Sequence, residues 1–459
     1  MSRTSPARRA VIIGAGISGL AAAQALADRF EQVVVLERDY LPSLAIPRPG
    51  VPQGRHPHGL LSGGLSALCD LFPDFASSIA QAGAYVGDCG LDQQFEFPGQ
   101  EALPRRDLGV AFFLMTRPLL ELTVRQRVTE RKNVVIRSEC RVVEIVATSD
   151  GEAVDSVSFM TSEGTLEVMS ADLVVDASGR GVPTLNFLKS TGRPVPEETV
   201  IGVDLGYSSA VYEIPAEAQP DFKALATLPG APKRSRIGVM LLREDGDWSV
   251  VLGGRGTDFP PADSKAFLAF AAGLETPTFY HAIKGATLRG EIIQYGFPES
   301  RRRHFDRPGD FPRGLIPIGD AVCRFNPVYG QGMSVALQEA VVLRNLVDAQ
   351  ETQDETFATL GQQYLRAIQP FIESPWALSA LPDLAYPDAR GERPADLEEA
   401  LDHLVALNRA ACHSADVHKL LFEVLHLIKP VSALHSPDII RKTTGRQGPT
   451  REVSLVDTD

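Results

Sequence analysis

The sequence predicts an α/β fold: a Rossmann-like dinucleotide-binding unit, an inserted and mostly antiparallel sheet, and a C-terminal helical region. Three observations carry this. A strand–glycine-turn–helix unit stands at Val11-Ile12-Ile13-Gly14-Ala15-Gly16-Ile17-Ser18-Gly19-Leu20. A second strand–turn–helix pattern returns some 300 residues later, at Leu315-Ile316-Pro317-Ile318-Gly319-Asp320. Between them lie many short apolar runs separated by turn residues, the pattern of antiparallel strands.

In the first unit, the apolar run Ala10–Ile13 reads as a buried parallel strand. Gly14, Gly16 and Gly19 fill a G-x-G-x-x-G turn, and an Ala-rich helix follows over about 18–29. The first glycine allows the tight turn, the second lets backbone approach a pyrophosphate, and the third packs helix on strand. A second apolar run, Val33–Leu36, ends in Glu37, 23 positions after Gly14. That is near the usual offset of about 20 for a carboxylate that binds ribose hydroxyls. The motif alone does not distinguish NAD(P) from FAD.

Next comes a Pro-rich polar segment, Arg48-Pro49-Gly50-Val51-Pro52-Gln53-Gly54-Arg55-His56-Pro57-His58-Gly59. Its prolines exclude a regular helix, and a long polar loop of this kind reads either as a cover over a flavin or phosphate or as a purely structural loop. His56 and His58 alternate, a poor spacing for chelating one metal from a helix face. The segment leads into an apolar helix over 60–71. Met115-Thr116-Arg117-Pro118 opens another helix, with proline at an early position. Runs at 134–137, 142–146, 154–159 and 165–168 read as short strands, with turns at Asp150-Gly151 and Glu163-Gly164. A buried strand then runs through Ala171-Asp172-Leu173-Val174-Val175-Asp176 and stops at Ala177-Ser178-Gly179-Arg180-Gly181.

The segment 199–297 reads as sheet, with strands at 200–205, 237–242, 248–252 and 291–295 and one helix over 262–274. Gly253-Gly254-Arg255-Gly256 has glycines but no following helix, and reads as a loop. After Asp320 the loop Asn326-Pro327-Val328-Tyr329-Gly330-Gln331-Gly332 opens a helix. Met333, Ala336, Leu337, Ala340, Val341 and Arg344 mark one of its faces, with Arg344 breaking the apolar run. From Asp354 the pattern is helical, and 442–459 is polar and frayed. The two αβ units are expected to form one cofactor domain, residues 1–190 completed by 308–350. The sheet, 191–307, is inserted between them, and 351–459 forms the C-terminal region.

Bulk properties narrow the function. The chain has 459 residues, 44% of them hydrophobic, enough for a sizeable core. A net charge of −13 argues against a nucleic-acid partner held through phosphates. Cys69, Cys89, Cys140, Cys323 and Cys412 are scattered and form no C-x-x-C, which points to a reducing compartment, no disulfide frame and no metal site. The short basic stretch before the first strand leaves no room for a signal peptide. No apolar run approaches the roughly 18 residues of a membrane span. A cytoplasmic location is expected.

With these pieces in order, the chain resembles the FAD-dependent monooxygenases related to aromatic hydroxylases and squalene epoxidase, most closely the bacterial branch acting on polyketides or terpenoids. The likeness covers about 9–346. It rests on the glycine turn ending in Glu37-Arg38, on Arg48-Pro-Gly-Val-Pro-Gln53, on Val174-Val-Asp-Ala-Ser-Gly179, and on Gly319-Asp320 with Pro327-x-x-Gly330-x-Gly332-Met333.

The resemblance implies roles for these residues. Glu37 would bind the adenosine ribose, with Arg38 near the adenine or its ribose. Arg48 and Arg117 would reach the diphosphate or ribityl chain, and Val142 would meet adenine with its backbone. Asp320 would take ribityl hydrogen bonds or bridge to the pyrophosphate. The amides of Gly332 and Met333 would lie beside flavin N1 and C2=O, where reduced flavin carries negative charge that a helix N-terminus stabilises. Gln53, Pro327 and Gly330 belong to the same cofactor set. No catalytic side chain is nominated.

The implied reaction inserts one oxygen atom from O2, by epoxidation or hydroxylation, into a lipophilic small molecule through a flavin C4a-hydroperoxide. One departure is informative. Aromatic hydroxylases carry an Asp-Gly pair where this chain has Ser178-Gly179, which puts direct NAD(P)H reduction in doubt and raises a separate flavin reductase as electron donor. The same pattern occurs in flavin halogenases and prenyl reductases. The halogenase W-x-W-x-I-P signature is absent, the only tryptophans being Trp248 and Trp376. A flavin-dependent reductase of prenyl double bonds and a protein with purely structural FAD stand as alternatives.

Overall fold

The apolar runs at both ends of the sequence meet in one sheet. In the computed structural model, which describes residues 8–307, 309–349 and 359–444, five parallel strands lie in the spatial order Leu315–Pro317, Leu173–Asp176, Arg9–Ile13, Gln32–Leu36, Val134–Arg137. Their near-continuous Val/Ile/Leu composition follows from burial on both faces. The helix Ile17–Leu26 packs on the helix Gly332–Asp348, which joins the two distant αβ units in one core. Beside this sheet, Arg141–Ala147, Val154–Met160 and Leu166–Ser170 form the expected three-stranded meander.

The inserted sheet has seven strands, in the order Cys323–Arg324, Thr287–Arg303, Glu198–Glu213, Trp248–Arg255, Ile237–Leu242, Ala224–Thr227, Gln93–Glu96. Two neighbouring strands, Glu198–Glu213 and Thr287–Arg303, are far longer than the short runs in the sequence suggest, at 16 and 17 residues. The second of these is largely exposed, so water tolerates its charged residues and the apolar signal shrinks to a few positions. The edge strand Gln93–Glu96 pairs in parallel and comes from the N-terminal part of the chain. The sheet is thus not confined to 191–307.

Three expectations need correction here. Gly253, Gly254 and Arg255 are strand, not loop: Gly253 pairs with both Tyr207 and Ile237, where a side chain at Gly253 would crowd Ile237. The segment 199–297 holds two helices, Ser264–Ala272 and Thr278–Ile283, not one. The face of the Gly332–Asp348 helix that enters the core includes Val335, Glu339, Leu343 and Val347, while Met333, Val341 and Arg344 are only partly covered. A three-stranded sheet of Gly59–Leu60, Tyr85–Asp88 and Ala111–Leu114 was not legible in the sequence.

The C-terminal region is helical. Its helix Gln369–Leu384 packs on both the Glu198–Glu213 strand and the Gly332–Asp348 helix, so it touches the inserted sheet and the cofactor domain at once. The expected frayed tail overlaps the helix Pro437–Thr444, and the rest of it lies outside the described residues.

Candidate cofactor site

The sequence-predicted residues gather at the carboxyl ends of the parallel strands, where open α/β sheets bind ligands. The three glycines of the turn divide the work as their spacing predicts. Gly14 has φ +102°, and a Cβ there would come within 2.8 Å of the Ala177 carbonyl oxygen. A Cβ on Gly19 would lie 1.9 Å from the Gly14 carbonyl oxygen, so only glycine lets the helix close on the strand. A Cβ on Gly16 would meet nothing within 4 Å. Gly16 caps the helix Ile17–Leu26 without a side-chain hydrogen bond, leaving the amides of the helix start open.

At the end of the second strand Glu37 is buried, at 4% exposure. Its Oε2 accepts the Ala15 N–H at 2.8 Å and its Oε1 accepts the Asp39 N–H at 2.9 Å. Arg48 is buried against it and also holds Asp39 and Glu121, at 3.1, 2.8 and 2.6 Å respectively. Burial alone would lower the Arg48 pKa, but Glu121, Glu37 and Asp39 outweigh it and raise the pKa. Arg48 also donates to the Ala15 carbonyl at 3.2 Å. Expected to reach the diphosphate or the ribityl chain, the Arg48 guanidinium is engaged here by Glu121, Asp39, Glu37 and the Ala15 carbonyl, and it ties the Pro-rich loop to the glycine turn.

The remaining adenosine-side residues are less gathered. Arg38 is largely exposed and lies 3.9 Å from Asp39. Val142 is half-buried on the strand Arg141–Ala147, next to a register shift against its partner strand. That strand adjoins the Glu37 end because the Cys140 N–H donates to the Glu37 carbonyl at 2.8 Å. Gln53 sits in the short 3-10 turn Pro52–Arg55, half-buried.

The third strand end carries Gly319-Asp320. Gly319 has φ +66°, and its N–H donates to Glu339 Oε2 at 2.7 Å. Burial raises the Asp320 pKa, opposed by the Arg324 and Arg117 guanidinium groups. Arg117 is itself buried, which lowers its pKa. Its Nε has no hydrogen-bond partner and stands 3.8 Å from Glu121. Asn326 caps the turn Pro327–Tyr329 by accepting the Val328 N–H at 3.1 Å, and Gly330 closes it at φ +67°. The helix Gly332–Asp348 then begins without a side-chain cap, and a Cβ on Gly332 would lie 3.7 Å from Asp320 Oδ1. Gly332, Met333 and Asp320 are thus one constellation, with Arg117 facing it.

The sequence reading missed four participants. Glu339 is fully buried, with Oε1 unpaired, and burial pushes its carboxyl up to about 8. It stands three residues after Ala336, so an acid on a core-facing stripe was the available signal. Asp39 and Glu121, which hold Arg48, carried no motif. Asp383, on the C-terminal helix Gln369–Leu384, accepts from Arg255, from Asn326 at 3.0 Å and from Tyr329 at 3.1 Å. It ties the turn before Gly332 to the inserted sheet, and no sequence pattern announces it.

Asp176, two residues before Ser178, does not replace the missing Asp-Gly carboxylate. It is fully buried and accepts the N–H and hydroxyl of Thr184 at 3.0 and 2.7 Å, holding the start of the helix Val182–Ser190.

The comparisons agree with this architecture. Residues 12–61 match the family of NAD(P)-binding Rossmann-like domains. Protein Rv3254 of Mycobacterium tuberculosis is 32% identical over 412 residues, which cover 84% of this chain and 82% of that protein. A flavoprotein/dehydrogenase from Cytophaga hutchinsonii superposes with a TM-score of 0.66 at 14% identity, over 95% of this chain and 96% of the other. PqsL from Pseudomonas aeruginosa, described as a "probable FAD-dependent monooxygenase", superposes with a TM-score of 0.60 at 15% identity, over 82% and 97%. Among the described residues no helix is long and apolar enough to cross a membrane. The chain belongs to the same family as protein Rv3254 of Mycobacterium tuberculosis, and its architecture is that of the FAD-dependent monooxygenases.

Proposed function

We propose that this chain is an FAD-dependent monooxygenase that adds one oxygen atom of O2, by epoxidation or hydroxylation, to a lipophilic small molecule. One observation carries the reading. Two helix N-termini without side-chain caps, at Gly16 and Gly332, open at the same edge of the parallel sheet, with Asp320 and the incompletely paired Arg117 at that edge. An elongated anionic dinucleotide matches this set of groups. Uncapped amides at helix starts favour negative charge.

In this reading Glu37 keeps lone pairs for the adenosine ribose, and the open side of Gly16 admits the pyrophosphate. Arg117 supplies a cation near Asp320. The Gly332 and Met333 amides face the flavin pyrimidine edge. Bound FAD supplies the activation of oxygen. The chain's residues orient the ring, stabilise the negative charge of its reduced form and exclude water. Ser178 is exposed and the neighbouring Asp176 is committed to Thr184, which supports electron delivery by a separate flavin reductase rather than direct use of NAD(P)H. The apolar cover around Leu205, Tyr207 and Phe297 supports a lipophilic substrate. A cytoplasmic setting is in keeping with that electron supply.

The test is to load the protein with FAD, reduce it chemically without oxygen, add a polyene or terpenoid, and admit isotopically labelled O2. One labelled oxygen atom in the product supports the proposal. A saturated double bond formed before oxygen enters assigns the protein to the reductases instead. Rapid reduction by NADPH alone leaves oxygenation standing but overturns the inference drawn from Ser178.

A further inference from the structure

The Pro-rich loop does more than hold Arg48. It delivers His56 onto the inserted sheet. Leu205, Tyr207 and Ser209 alternate along the Glu198–Glu213 strand and share one face. Tyr207 stands directly opposite Tyr295 in register, with ring centroids 5.4 Å apart. His56 Nδ1 lies 2.7 Å from Ser209 Oγ, and its ring sits edge-on to Tyr207 and Tyr295 at 4.9 and 5.5 Å.

Three polar atoms in this cluster lack partners. Among the described residues, neither His56 Nε2 nor either phenol hydroxyl makes a hydrogen bond, although His56 and Tyr207 are buried. None of the three is among the buried unpaired atoms, so each still opens onto space where a ligand atom can sit, and their rings lie within 5.5 Å of one another. The surroundings are apolar. Leu205 and Phe297 lie on the same sheet face, with Val328 and Trp376 packed against them. Val328 belongs to the turn before Gly332, and Arg48 on the His56 loop bonds to the glycine turn. The cluster therefore faces the cofactor edge of the molecule.

We propose that His56, Tyr207 and Tyr295 form a recognition subsite for one neutral oxygen, a hydroxyl or a carbonyl, on an otherwise apolar substrate. The inference rests on the monooxygenase reading and names the substrate class for that same site. Either His56 tautomer serves, since Ser209 can donate to or accept from Nδ1 and the phenols can do both. Burial holds His56 neutral, with its pKa down to about 4, and raises that of Tyr207. The subsite thus presents no charge of its own to a carboxylate. The nearby cation is Arg324, stacked over Phe297 at 4.6 Å.

The test titrates the FAD-loaded, oxidised protein with naphthalene, 2-naphthol and 2-naphthoate, and reads the flavin absorption spectrum. Binding of 2-naphthol about tenfold tighter than either other probe is expected, roughly one to two neutral hydrogen bonds. His56→Leu and Tyr295→Phe each bring 2-naphthol toward the affinity of naphthalene and leave naphthalene unchanged. Tyr295→Phe removes a single oxygen atom and keeps the test usable where His56→Leu fails to fold. Equal binding of naphthalene and 2-naphthol overturns the proposal, as does a preference that survives both substitutions. Tighter binding of 2-naphthoate overturns it in favour of an anion site at Arg324. A protein that takes no FAD overturns the monooxygenase reading and this subsite with it. One that takes FAD and shows no 2-naphthol preference overturns the subsite alone.

Discussion

Glu37 accepts the backbone N–H of Ala15 at 2.8 Å, across 22 residues of sequence. This bond fixes the end of the second strand to the glycine turn, and Arg48 clamps the pair from the loop side. The turn is thereby shaped by protein contacts alone. Its two functions, folding and ligand approach, fall on different glycines.

Gly16→Val and Gly19→Ala should therefore part company. The Gly16 Cβ direction is open and its φ is −73°, so valine there leaves the thermal stability of the flavin-free protein little changed while abolishing FAD retention. Gly19→Ala drives a Cβ into the Gly14 carbonyl oxygen and should lose about 1–3 kcal/mol or more of stability as well as flavin. Calorimetry of the apoproteins, alongside flavin occupancy, checks both. Full flavin occupancy in Gly16→Val would mean that the cofactor does not pass this turn.

Arg48→Met leaves Glu37, Asp39 and Glu121 without the guanidinium they share; the cations left nearby are Arg117, 3.8 Å from Glu121, and the exposed Arg38, 3.9 Å from Asp39. Breaking a buried ion cluster in this way costs about 3–5 kcal/mol. Adding Glu121→Gln to Arg48→Met should recover part of that loss. Urea unfolding of the three proteins decides the matter, and an Arg48→Met protein as stable as the parent contradicts the clamp.

Glu339 predicts a pH signature. Its carboxyl is raised to about 8 in the folded protein, against 4.5 when exposed. The folded state thus binds the extra proton, and this residue's contribution to stability falls as pH rises from about 4.5 to about 8. Glu339→Gln removes that slope. The stability difference between variant and parent should move in favour of the variant from pH 5 to pH 8, the buried histidines cancelling because both proteins share them. A difference that does not change with pH refutes the assignment.

Asp383→Leu removes the acceptor shared by Arg255, Asn326 and Tyr329 and strands a nearly buried guanidinium. A stability loss of about 3–5 kcal/mol is expected. Because Asn326 and Tyr329 bracket the turn before Gly332, weaker FAD binding should accompany it. Asp383→Asn, which keeps an acceptor for Tyr329, should hold flavin better than the leucine variant. If the leucine variant binds FAD as tightly as the parent, the C-terminal helix does not position that turn.

Local chemistry in the sequence determined the cofactor half of this protein. The glycine spacing, the apolar parallel strands and the Gly319-Asp320 turn each follow from short-range rules, because φ limits, helix starts and strand burial are set within a few residues. The two long strands were underestimated for different reasons: Thr287–Arg303 is mostly exposed or half-buried and needs no continuous apolar signal, while the mostly buried Glu198–Glu213 carries Asp204, Gly206, Ser208 and Ser209, which interrupt its apolar run. What only the tertiary structure decided are the partners far apart in sequence. Arg48 serves as a clamp on the glycine turn because Asp39 and Glu121 surround it, 9 and 73 residues away. Asp383 meets Asn326 across 57 residues, and His56 meets Ser209 across 153. Hydrogen bonding and desolvation depend on which groups are brought within about 3 Å. Packing of the helices and the inserted sheet sets those distances, and no local pattern encodes them.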